Sequence, residues 1–83
     1  MPVLTRFNGM VIKMYLLGKE HNPPHIHVIF GELNGVIDIQ TLEVMEGDLP
    51  RKELAQAKQW AERHKDELLD IWNTQNFRKL PPL

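Results

Sequence analysis

Alternation of apolar and polar residues along the first half of this chain gives way to a three- and four-residue recurrence, so a sheet is followed by a helix. Val3 to Phe7 and Met10 to Leu17 flank Asn8-Gly9, a pair that supplies the positive φ angles of a two-residue hairpin turn. That turn sets a register in which Phe7 faces Met10, Thr5 faces Ile12 and Val3 faces Met14. Val3, Phe7, Met10, Ile12, Met14 and Leu16 then share one apolar face. Leu4, Arg6, Val11, Lys13, Tyr15 and Leu17 share the other.

His25 to Phe30 predicts a third strand and Leu33 to Gln40 a fourth, with the turn centred on Gly31-Glu32 or on Asn34-Gly35. Either turn puts Ile26, Val28 and Phe30 on the face of Ile37 and Ile39, and sets Asp38 and Gln40 beside His25 and His27. A return through Thr41 and Leu42 leads to Glu43 to Glu46, with Val44 inward and Met45 outward. Gly47 and Asp48 close the sheet region, and Pro50 suits an early helical position because its missing N–H is not needed there.

From Leu54 the residues Ala57, Trp60, Ala61, His64, Leu68, Ile71 and Trp72 recur at helical spacing. One helix over about 50–76 would be roughly 39 Å long, whereas a strand of five or six residues spans roughly 17 to 20 Å. Half of it would overhang the sheet. Either it breaks near Arg63 to Asp66, or its second half, with Trp72 and Phe77, takes cover from the tail or from a second subunit. The tail, 77–83, is too proline-rich for a helix and is expected to fold back in extended form. The expected fold class is α+β: a mostly antiparallel sheet of four or five strands, with one long C-terminal helix packed on one face, in a single domain 1–83.

Composition narrows the function. The 83 residues contain no cysteine, which excludes disulfides and thiolate metal ligands. Ten basic against eleven acidic side chains give a formal charge of -1, unlike the basic footprint of a general nucleic-acid binder. Neither a basic-then-apolar leader nor an apolar run of spanning length is present, so the expectation is a cytoplasmic protein without a membrane partner.

Chemistry concentrates in Glu20-His21-Asn22-Pro23-Pro24-His25-Ile26-His27. The two prolines stiffen the approach to the strand, and His25 and His27, two residues apart, project to one face. One reading is a metal site: His21, His25 and His27 are the ligands, Asp38 or Glu20 can add oxygen, and zinc is a suitable ion. A second reading requires no cofactor. Imidazoles that titrate near neutral pH act as base and acid on a phosphodiester, Lys13 or Arg6 stabilises the developing charge, and Asp38 orients a ring. Tyr15 would stack on an RNA base and Asn22 would contact the substrate. The plain alternative is a pair of polar residues on a solvated sheet face. His64, between Trp60 and Leu68, reads as a core histidine, and Trp60 and Trp72 as core or interface anchors. An interaction module without histidine chemistry remains a further reading, with the overhanging helix as a homodimer surface.

Arg6-Phe7-Asn8-Gly9 with Met14-Tyr15, the His21-to-His27 run, Ile37-Asp38-Ile39, Leu42-Glu43-Val44-Met45-Glu46-Gly47, and Trp60, His64, Glu67, Leu68 and Trp72 together resemble the short bacterial proteins grouped as domain of unknown function 4160. Relatives often carry Gly where this chain has Leu42. The resemblance implies a partner, since such proteins are often encoded beside a second small protein in the manner of toxin and antitoxin pairs. On this basis the chain is expected to be a toxin-like component acting on RNA through the paired histidines, with a non-catalytic metal-binding or protein-interaction module as the alternative.

Overall fold

The computed structural model describes residues 3–14 and 23–83. Five strands, β1 (Val3–Phe7), β2 (Met10–Lys13), β3 (His25–Phe30), β4 (Leu33–Asp38) and β5 (Val44–Gly47), precede two helices, α1 (Arg51–Arg63) and α2 (Lys65–Thr74). The strands pair in chain order as one antiparallel sheet, each joined to the next as a meander requires. The fold is therefore α+β.

In the first hairpin Phe7 pairs with Met10 and Thr5 with Ile12, as the Asn-Gly turn dictates. Beyond Thr5 the expected register fails. A bulge between Val3 and Thr5 pairs Val3 with Lys13 rather than Met14, because an extra residue in one strand rotates everything beyond it. Leu4, expected on the face of Arg6 and Lys13, is consequently fully buried, next to a buried Thr5. The β3–β4 turn is centred on Gly31-Glu32, with Phe30 opposite Leu33 and Ile26 opposite Ile37. Val44, expected inward, is 39% exposed, and Met45 is 43% exposed. β5 is an edge strand, and a bulge between Val36 and Ile37 interrupts its pairing with β4.

The single long helix is also corrected. His64, at φ -107° and ψ 20°, interrupts it and belongs to neither helical run, so of the two ways to avoid the overhang the chain takes the break between Arg63 and Asp66. The 13 residues of α1 span about 20 Å, matching the strands. His64 still donates its backbone N–H to the Trp60 carbonyl (3.1 Å), and its own carbonyl accepts from Leu68 (2.8 Å). The break therefore strands no backbone group there. Ala57, Trp60 and Ala61 of α1, and Leu68 and Ile71 of α2, are buried against Leu4, Met10, Ile12, Ile26, Val28 and Ile37 of the sheet.

After Gln75, which closes α2 in a left-handed conformation, the chain returns across the molecule. Arg78 pairs with Asp70 (3.1 Å), Leu80 donates its N–H to the Leu4 carbonyl on the outer edge of β1 (3.0 Å), and the Trp60 indole donates to the Pro81 carbonyl (2.8 Å). One edge of the sheet is thereby partly covered. Leu42 takes φ +63°, a left-handed backbone that glycine adopts without the Cβ clash.

Candidate functional site

His25 opens β3, and the geometry of the proline lead-in determines its ring. Pro23 supplies a carbonyl 2.8 Å from the His25 Nδ1. A carbonyl only accepts, so Nδ1 carries the proton and the neutral ring keeps its lone pair on Nε2. The ring meets Trp72 of α2, with centroids 5.1 Å apart, and His27, also at 5.1 Å and in an edge-on arrangement. His25 is 5% exposed, whereas His27 is half-buried.

The sheet register decides which of the other sequence-marked residues join them. Lys13 lies directly across from His27, at the separation of about 5 Å between Cβ atoms typical of cross-strand pairs. Asp38 lies directly across from His25. One of its carboxylate oxygens, however, accepts the backbone N–H groups of Gln40 (2.7 Å) and Thr41 (3.0 Å). Asp38 thus shapes the turn after β4, in the manner of side chains that mimic a backbone turn. The hydrogen bond that orients the His25 ring comes from Pro23 rather than from Asp38.

Arg6 is paired with Val11, which is paired in turn with Ile29. It is therefore two strands and two residues from His27, about 12 Å by strand spacing and rise, and it stands apart from the histidines. Tyr15, His21 and Asn22 lie outside the described residues. Among the described residues no group of three or more His, Asp or Glu side chains could hold a metal ion. A ligand set built on His25 and His27 would need a contribution from beyond them.

The histidine cluster thus brings together Trp72, a buried His25 whose Nδ1 is held by the Pro23 carbonyl, and a more accessible His27 with Lys13 opposite. The two imidazoles are in edge-on contact, with their planes at 65°. Sequence reasoning assigned Trp72 to a core or an interface. No local signal in the chain points from Trp72 to His25, because their meeting depends on the turn of the chain at His64.

His64 itself is buried, stacked on Trp60 at 5.1 Å, and donates from Nδ1 to the Glu67 carboxylate (2.9 Å). Its Nε2 is buried with no hydrogen-bond partner. This agrees with the core reading of His64. Among the described residues no helix is long and apolar enough to cross a membrane.

Fold and cluster together define a small α+β protein, an antiparallel meander covered by a broken helix, with an aromatic-backed histidine pair on the sheet. Residues 9–73 match the family described as Domain of unknown function (DUF4160), and the chain belongs to that family. Neither a curated protein nor a solved structure matches it.

Proposed function

We propose that the chain is a protein-binding module that accepts an extended segment of a partner as an added strand on the outer edge of β5. The observation that carries this reading is the contrast between the two sheet edges. The tail bonds to β1 at Leu4, whereas among the described residues no strand lies beyond β5, and all four of its residues are exposed. An uncovered edge that exposes Val44 and Met45 is a template for strand addition, and its bulge and acidic residues restrict which strands can add.

Charge selects the occupant. Glu43, Glu46 and Asp48 line this edge and are exposed, so two copies pairing edge to edge would set carboxylates against carboxylates. A partner strand carrying Lys or Arg between apolar residues complements it. The small protein encoded beside members of this family is the first partner to test. Titrating it into the labelled chain should shift the backbone NMR signals of 43–48, and Glu43→Lys with Glu46→Lys should weaken binding by about tenfold or more. Binding that maps elsewhere, or that ignores the charge reversal, overturns the proposal.

A second reading, toxin-like action on RNA, is favoured by one observation: Lys13 faces the more accessible histidine, His27. On that reading His27 moves the proton, Lys13 stabilises charge and His25 is a positioning residue. RNA cleavage or growth arrest that disappears in His27→Ala would support it, and activity that survives His25→Ala combined with His27→Ala would refute it. A zinc titration read on the imidazole signals tests the metal-binding variant independently.

A further inference from the structure

Arg6, separated by the sheet register from the histidines, stands instead at a cavity of about 280 Å³ between β1 and the returning tail. Val3, Leu4, Thr5, Leu80 and Pro82 line it with a mixed polar and apolar surface, and Arg6 of β1 and Lys79 of the tail bring a cation each. Among the described residues neither cation has a carboxylate within ion-pair distance. The bulge between Val3 and Thr5 lies at this wall, and bulges at sheet edges re-aim side chains in this way.

The opposite wall is held in place. The tail is pinned at Arg78 by Asp70, at Leu80 by the Leu4 carbonyl and at Pro81 by the Trp60 indole. Two cations without a carboxylate partner among the described residues, beside the apolar surface of Val3 and Pro82, in a cavity near the lower end of the roughly 300 to 1,000 Å³ of ligand sites, suit a small anion with an apolar body. We propose that this cavity binds an oxyanion, a carboxylate or phosphate monoester, carried on a short apolar group. Arg6 and Lys79 hold the charged head, Arg6 through the paired N–H groups that match an oxyanion. Val3 and Pro82 receive the body. The site is independent of the β5 edge and of the histidines.

The test is an amide-resolved NMR titration of the full chain with hexanoate, with phenyl phosphate and with neutral hexanol. Saturating shifts at Thr5, Arg6, Lys79 and Leu80 are expected with at least one anion, and the one that saturates at lower concentration identifies the head group. Arg6→Gln with Lys79→Gln should weaken that binding by about tenfold. Both residues are exposed, and an unchanged melting temperature of the double variant verifies that the fold is intact. Absence of saturation with both anions, equal binding of hexanol, or an unaffected double variant overturns the proposal.

Discussion

Gly47 is the residue on which the β5 edge depends, and Gly47→Ala tests that dependence. It pairs with Gly35 at φ +92°. A Cβ there would collide with the Asn34 carbonyl oxygen and lie 2.8 Å from the Gly35 Cα and 2.9 Å from the Asn34 carbonyl carbon. All three are backbone atoms, so no side chain can swing away. The left-handed backbone costs a residue with a Cβ about 1 to 2 kcal/mol. Parting β5 from β4 to relieve the collision would break the Asp48 N–H to Asn34 bond (3.0 Å), about 0.5 to 1.5 kcal/mol more. The expected loss of about 2 to 3 kcal/mol lowers the melting temperature of a domain this size by about 10 to 20 °C.

Gly31→Ala is the control. It carries φ +61° with nothing within 4 Å of the added carbon, so it reports the backbone cost alone. Urea unfolding of both variants, with unchanged m-values, gives the difference directly. If Gly47→Ala falls within about 0.5 kcal/mol of Gly31→Ala, the close approach of β5 to β4 is not what holds the edge, and the argument fails. On the binding reading, Gly47→Ala should also weaken the partner where Gly31→Ala does not.

Asp38→Ala should cost about 1 to 2 kcal/mol, by analogy with lost side-chain caps, while Asp38→Asn, whose amide oxygen can accept the same two bonds, should stay within about 0.5 kcal/mol. Equal damage from both, read by urea unfolding, would show that the charge and not the turn matters. Trp72→Ala should move the His25 imidazole signals in NMR more than those of His64, and lower stability by about 1 to 2 kcal/mol, less than for a fully buried tryptophan. An unmoved His25 signal would refute the contact. His64→Leu removes a buried nitrogen that has no partner and releases a carboxylate on Glu67 that is already 44% exposed. Stability should therefore hold or rise by about 1 kcal/mol, and a calorimetric loss above about 2 kcal/mol would contradict that account.

Much of this fold is legible in the chain itself, because its signals are local. Asn8-Gly9 sets its hairpin through backbone preference, the period of two in His25 to Phe30 sets the faces of β3, and the Leu54-to-Ile71 recurrence marks the helical face. The limit on helix length was local arithmetic as well, but it left a break near Arg63 to Asp66 and an overhanging single helix as alternatives, and only the packed structure decides for the break at His64. What escaped depends on residues meeting across the molecule. The bulge that buries Leu4 and displaces Val3 is a compromise between β1, β2 and the tail. The exposure of Val44 follows from its position in the last strand, and strand order is not written in any one segment.

The histidine site divides along the same line. The paired projection of His25 and His27 follows from strand geometry alone. The cover of Trp72, the separation of Arg6 and the placement of Lys13 opposite His27 follow from how elements pack, since side chains far apart in sequence share a surface only after the sheet has ordered its strands. The cavity between β1 and the tail belongs wholly to that second category. Its two cations stand at opposite ends of the chain, and the bonds that pin the tail at Arg78, Leu80 and Pro81 bring them to one cavity.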